Sequence, residues 1–321
     1  MSFETEAVLD RRSLRRRLGL WRGLAIAAGL LALAGIASRV LPDSGLGGGR
    51  QIARVTIEGL ITEDRDQLRM LQEIAKARRV EAVLVFVNSG GGTTTGGEAL
   101  FEALRQISKE KPVVAQFGTV AASAAYIAGL ATDHMVARGN TITGSVGVIF
   151  QYPEVSELMA KAGIKMHEIK SGPLKATPSM FQPIDEGGRK VAEQIVAEGQ
   201  RWFLGLVTER RGIQPADVPG LEQGRIYSGR EAVGYKLVDE IGGEDAALRW
   251  LQEKRGIDPK LRLIDWKPAR TGDWSLLRLV TGGLARLLGG GDTAGLPAVA
   301  DKMLGRLTLD GLVSIWHPGE R

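Results

Sequence analysis

The chain has 321 residues, 44% of them hydrophobic and 25% charged, enough apolar material for one large domain or two ordinary ones. It has no cysteine and only three histidines, which excludes disulfides, thiolate metal sites and a cysteine nucleophile, and no H-E-x-x-H pair exists for zinc. The formal charge of +5 is local: residues 1–50 carry eight Arg or Lys against four acids, leaving 34 against 33 in residues 51–321, so no nucleic-acid partner is expected.

In chain order, the first signal is "RRSLRRRLGLWR" (11–22), directly before an uncharged apolar run. Residues 1–22 read as a basic cytoplasmic terminus and 23–41 as a transmembrane anchor, with Arg22 and Arg39 extending their charged ends to the interfaces. By the positive-inside rule the N-terminus stays cytoplasmic, and the rest is expected on the extracytoplasmic, periplasmic side of the inner (cell) membrane. A cleaved signal peptide is the rival reading, with Gly35-Ile36-Ala37 as a small-x-small cleavage site. The retained anchor is favoured because Arg39-Val40-Leu41 continues the apolar segment past that site.

Residues 42–50, with "DSGLGGGR" (43–50), read as a flexible linker to a folded domain over 51–266. "ARVTIEGLI" (53–61), "EAVLVFVNS" (81–89), "PVVAQFG" (112–118) and "HMVARGNTI" (134–142) predict buried strands. Between them, "DQLRMLQEIAKARR" (66–79), "GGEALFEALRQISKE" (96–110) and "SAAYIAGLA" (123–131) carry helical spacing. The alternation predicts an α/β domain with a mostly parallel sheet. Helical patterns return at 154–163, 186–212 and 229–256, and "IKMHEIK" (164–170) is strand-like. From 267 to 321 the pattern loosens into a C-terminal extension with a linker-like "LLGGGDTAGLP" (287–297) and a weakly amphipathic end to which no function is assigned.

Two strand-to-helix turns carry possible chemistry. "NSGGGT" (88–93) offers unpaired backbone N–H groups of the kind that make an oxyanion hole, and it lacks the spacings of nucleotide-binding loops. The next turn carries Ser123 in "GTVAASAAYIAG" (118–129), where close packing alone would also explain a small hydroxyl. A serine nucleophile needs a base. His134 reads as a surface or structural residue, whereas Lys170 and Lys175 lie in a Gly- and Pro-broken loop, "EIKSGPLKATPSM" (168–180).

Together these pieces resemble the signal peptide peptidase A family, serine peptidases whose fold is similar to Clp protease and the crotonases. The resemblance spans about 54–243. "NSGGGT" is similar to the family's N-S-P-G-G-S turn and "GTVAASAAYIA" to its A-A-S-G-G-Y motif; "TGSVGVI" (143–149) resembles G-S-I-G-V and "SGPLKA" (171–176) resembles S-G-x-Y-K. "GRIYSGREAVGYKLVDEIGG" (224–243) is similar to the closing signature, and all five occur in family order.

The resemblance implies a Clp protease/crotonase-like domain of repeated β-β-α units, with Ser123 as nucleophile and Lys175 as general base. Ser145 would orient the Lys175 amine, and the backbone N–H groups of Gly92 and Ala124 would bind the oxyanion. No cofactor and no metal are implied. The partners implied are apolar peptides, chiefly cleaved signal peptides, the membrane, and copies of the chain in a ring whose active sites are shared between protomers. Free lysine titrates near ~10.4, so Lys175 requires a closed, largely apolar site to act as a base. Three departures stand out: Gly90 replaces a proline, Ala124 and Ala125 replace two glycines and are expected to narrow the pocket, and Leu174 stands where an aromatic residue is common. A protease for other membrane proteins, a crotonase-like acyl-CoA enzyme and a silent membrane scaffold are the alternatives.

Overall fold

The computed structural model describes Trp21, residues 49–269 and Leu312–Ile315, so the anchor expected over 23–41 and most of the C-terminal extension lie outside the described residues. The chain divides into two units, Met1–Arg50 and Gln51–Arg321. Among the described residues no helix is long and apolar enough to cross a membrane.

The second unit is built on strands that are nearly continuous apolar runs, the pattern of parallel strands covered on both faces. β1 (Gln51–Ile61), β2 (Val80–Thr93), β3 (Val113–Ala122) and β4 (His134–Ala137) are parallel neighbours. β5 (Ile142–Gly144) runs parallel beside the end of β3 and pairs antiparallel with β7 (Ile226–Ser228). β8 (Glu240–Ile241) extends the sheet beyond β4, and β9 (Arg262–Trp266) extends it beyond β1. β10 (Leu312–Ile315) runs antiparallel between β2 and β6 (Ile149–Phe150).

Seven helices are described: α1 (Arg65–Lys76), α2 (Thr94–Ser108), α3 (Ala124–Leu130), α4 (Ser156–Lys161), α5 (Glu186–Arg211), α6 (Gly229–Gly234) and α7 (Glu244–Arg255). Side chains alternate across a strand, so Val83, Val85 and Val87 share one face. There they join Leu71 of α1, Leu104 of α2, Ile127 of α3 and Phe203 of α5 in one core. Ala82 and Leu84 point the other way, into a smaller core with Ala246, Ala247 and Leu251 of α7. Burying a large side chain of this kind contributes roughly 1.5–3 kcal/mol. That matters most for α3, whose seven residues are all buried and which is too short to hold itself together in water.

The expected strand over 134–142 is two strands, β4 and β5, separated by a turn in which the Thr141 hydroxyl donates to the Gly118 carbonyl at 2.7 Å. The helical pattern over 229–256 is likewise two helices, because Ser228 and Glu231 close a capping box at the start of α6 and β8 then interrupts the run. The strand-like "IKMHEIK" is irregular, and five of its seven residues are exposed, which leaves it no buried face to pair. The glycine stretch "NSGGGT" is not a free turn but the last part of β2. The ends of β2, β3 and β5 meet at one edge of the sheet, where an open α/β fold forms its crevice.

Candidate active site

Ser123 is the single residue between β3 and α3, with φ 60° and ψ −123°. These are the angles of the first central residue of a type II′ turn, which glycine adopts freely and a residue with a side chain adopts at a cost of roughly 1–3 kcal/mol. Its surroundings hold it there. The Ser123 N–H donates to the Gly144 carbonyl at 2.9 Å, and the Ser123 carbonyl accepts from the Ile127 N–H at 3.1 Å as the first bond of α3. The residue is 1% exposed.

The helix that follows is fixed from two sides. The Tyr126 hydroxyl donates to the Leu237 carbonyl at 2.8 Å, and complete burial pushes its phenol pKa above the ordinary range. On the other side α2 crosses closely, since a Cβ at Gly97 would come within 3.2 Å of the Ala124 methyl. Ala124 and Ala125 are both fully buried. Both belong to the large core, and the Ala124 methyl faces Gly97 of α2. The Ala124 N–H lies in the first turn, where no intrahelical acceptor exists.

Ser145 stands beside this turn because β3 and β5 are in register at Ala122↔Gly144, each one residue short of a serine. Ser145 also has a positive φ, 50°. Its N–H donates to the Arg225 carbonyl at 2.9 Å, the Thr143 hydroxyl donates to the Ala121 carbonyl at 2.7 Å, and Gln200 of α5 donates to the Val146 carbonyl at 3.2 Å. The end of β5 and the loop after it are thus tied to β3, to Arg225 just before β7, and to α5.

Gly92 lies on the neighbouring strand, in close contact with β1. A Cβ there would fall 1.8 Å from the Ile61 carbonyl oxygen, so only glycine fits. The two polar residues before the glycines have structural work that sequence reading missed. The Asn88 side-chain carbonyl accepts from the N–H groups of Thr119 and Val120 at 3.0 and 3.3 Å, where the register of β2 and β3 shifts. Ser89 donates to the Gly59 carbonyl at 2.6 Å and accepts from the Gly91 N–H at 3.0 Å, where β1 and β2 shift. Polar side chains at the end of a buried strand are the signal that was available, since each must find a partner.

The structure brings Ser123, Ala124, Ser145 and the strand of Gly92 to one end of the sheet. Lys175 is on a separate segment, an exposed turn in which its N–H donates to the Gly172 carbonyl at 3.1 Å. The closed surroundings expected of Lys175 are not supplied by its own segment. Lys170 is engaged by Glu168 at 2.6 Å, a hydrogen bond that holds the Glu168 carboxyl below its usual pKa. His134 is remote from Ser123: it pairs with Val114, nine residues before Ser123 along β3, or about 30 Å at ~3.3 Å per residue. It stacks on Trp250 at 4.8 Å and lies 3.3 Å from Glu240, contacts that tie the edge of the sheet to α7. A cavity of about 970 Å³, lined by Arg54, Phe86, Gln116, Arg138 and Asp265 among others, includes none of the candidate site residues. Among the described residues no group of three or more His, Asp or Glu could hold a metal ion.

Residues 105–258 match the profile of Peptidase family S49. The chain is 30% identical over 252 residues to a Synechocystis sp. protein named "Putative protease", covering 77% of this chain and 88% of that one. It is also 30% identical over 237 residues to the "Putative signal peptide peptidase SppA" of Enterococcus faecium, covering 70% of this chain and 69% of the relative. "Protease 4" of Haemophilus influenzae is 29% identical over 62% of this chain but is covered for only 34% of its own length. Among solved structures, a mutant of the "1510-N membrane-bound stomatin-specific protease" aligns over 70% of this chain and all of its own, with a TM-score of 0.46 and 13% identity. The chain belongs to peptidase family S49.

Proposed function

We propose that this peptidase is a membrane-anchored serine endopeptidase that uses Ser123 and Lys175 to cleave apolar peptides, including cleaved signal peptides. The observation that carries the reading is the conformation of Ser123, a non-glycine residue held at φ 60° and ψ −123° in a buried strand-to-helix turn. Strain of this kind persists only where the surroundings over-determine it, and it is the posture in which a turn presents a nucleophilic hydroxyl. In this reading Lys175 takes the proton from Ser123, the tetrahedral oxyanion is bound by the N–H groups of Gly92 and Ala124, and Ser145 orients the amine. The name of the Enterococcus relative supports the substrate class.

The exposed position of Lys175 supports a site completed between protomers. Eleven large hydrophobic side chains are exposed among the described residues, and nine of them lie between Ile149 and Ile195, the stretch that carries Lys175. Leu158, Ile169, Leu174 and Phe181 are among them, and a monomer seldom leaves so much apolar surface in one stretch. A neighbouring copy in a ring would cover it, close Lys175 off from water and bring it to a Ser123 of the adjacent protomer.

The test is labelling of the full chain with a serine-directed fluorophosphonate. The expected result is one adduct, on Ser123, absent from Ser123→Ala. A properly folded, assembled protein that hydrolyses apolar peptides without reacting at Ser123 would overturn the assignment.

A further inference from the structure

α7 packs on only part of one sheet face, over Ala82, Leu84, Val114 and Val136. Beyond it, the same face is the floor of the cavity of about 970 Å³. Side chains on that floor stand in rows across the strands. One row is Thr56, Phe86 and Gln116, from the pairs Thr56↔Phe86 and Phe86↔Gln116. The next begins with the pair Glu58↔Asn88 and continues through Gly118 and Arg138, each one residue past the pair Phe117↔Ala137. All four residues of this second row line the cavity.

The row has a carboxylate at one end and a guanidinium at the other, three strand spacings apart, or about 14 Å. Both side chains are exposed, and among the described residues neither has an ion-pair partner. Arg138 lies against Gly243 at the start of α7, where a Cβ would meet its guanidinium at 3.2 Å. The neighbouring charges keep the same polarity. Arg54 is engaged by Asp265 at 2.5 Å and Glu244 at 2.7 Å, so with Glu58 and Lys267 the β1 and β9 side of the cavity carries three acids against two bases. Beyond β4, Arg138 is joined by Arg230, which Asn140 holds at 2.6 Å. Between the two ends the floor offers a ring, Phe86, and two amides. The Asn88 side-chain carbonyl is used by the N–H groups of Thr119 and Val120, which leaves its amide N–H groups for a ligand. Gln116 is 4% exposed and donates to the Phe117 carbonyl at 3.0 Å, and among the described residues nothing donates to its side-chain oxygen. Gly118 keeps the floor low, since a Cβ there would come within 2.9 Å of the Asn88 side chain.

We propose that this cavity binds a short zwitterionic peptide of three or four residues, with its α-carboxylate on Arg138, its α-ammonium on Glu58 and an apolar side chain on Phe86. An extended chain advances about 3.3–3.6 Å per residue, so four residues span the row and three span it with the reach of the two charged side chains. The peptide crosses the strands rather than pairing with them, and its backbone groups meet Asn88 and Gln116. A charge of opposite sign at each end selects molecules with both termini free, because a blocked terminus leaves one charge unanswered. Such molecules are the products of the peptidase proposed above. That identity rests on the peptidase reading, while the site does not.

The experiment is calorimetric titration of the full chain carrying Ser123→Ala with the tetrapeptide Ala-Leu-Ala-Leu and with its N-acetylated and C-amidated forms, the peptides being verified intact afterwards. The free peptide is expected to bind, and each blocking group to weaken it about tenfold, the worth of one hydrogen bond to a charged group. In the same background Arg138→Gln should bind the free and amidated forms alike, and Glu58→Gln the free and acetylated forms alike. Both side chains are exposed, so neither substitution disturbs the core. Absence of saturable binding at millimolar peptide would overturn the proposal. Equal binding of free and blocked peptides, or an Arg138→Gln protein that still prefers a free carboxylate, would place the peptide elsewhere and overturn it as well. Binding is read without catalysis, so these failures leave the assignment of Ser123 standing, and a failure of fluorophosphonate labelling leaves this site standing.

Discussion

The Ser123 N–H donates to the Gly144 carbonyl at 2.9 Å, and this one bond sets the geometry of the candidate site. It locks the residue after β3 to the end of β5, so that Ser123 and Ser145, both with positive φ, emerge side by side. The strain at Ser123 should be measurable. Ser123→Gly is expected to be more stable than Ser123→Ala by about 1 kcal/mol, because glycine accepts the conformation and its greater freedom when unfolded offsets only part of the gain. Urea titration of both variants checks it, and equal or reversed midpoints would mean that the turn is not strained.

The two candidate lysines should separate cleanly. Lys175→Ala and Ser123→Ala are each expected to lower peptidase activity by several orders of magnitude, because removing either of two residues that act as a unit abolishes the reaction. Lys170 is held by Glu168 at 2.6 Å, and Lys170→Ala should retain most of the activity. The opposite ranking, measured on a reporter peptide with each variant's fold verified, would move the base to Lys170.

Tyr126 links stability to pH. Its folded-state pKa is raised by burial, so its contribution is fully present below the unfolded value near ~10 and is lost as pH rises through the folded value. Unfolding midpoints should fall above about pH 10, less steeply in Tyr126→Phe. At neutral pH that variant leaves the buried Leu237 carbonyl without its hydroxyl donor, at a cost of about 1–3 kcal/mol. Identical alkaline slopes for the two proteins would place the titrating group elsewhere.

The anchor read from residues 23–41 predicts a topology. A tag before Arg11 should resist external protease in intact cells, whereas the domain after Gln51 should be digested once any outer barrier is opened. Protection of both ends, or digestion of both, would contradict it.

The α/β architecture was legible because strands buried on both faces must be nearly continuous apolar runs, as in Val83 to Val87. Ser123, Ser145 and Gly92 were read from motif order, and the register of β2, β3 and β5 brings the two serines and the strand of Gly92 to one end of the sheet. Other features depend on tertiary pairing and leave little local trace. β8 and β9 are short edge segments, β10 is a strand only because β2 and β6 accept it, and Asn88 and Ser89 repair register shifts that no periodicity announces. The exposure of Lys175 was not legible either, since a Gly-Pro loop reads the same whether solvent or a second subunit covers it.

The shared Ser123–Lys175 site is tested most directly by complementation. Ser123→Ala and Lys175→Ala chains, each expected to be inactive alone, are co-assembled in equal amounts and assayed on an apolar reporter peptide. A random ring has about a quarter of its interfaces with both functional residues intact, so activity should return to about that fraction of the wild-type rate. An inert mixture, with mixed rings demonstrated by differential tags, would place both residues in one chain or outside the reaction and would contradict the account.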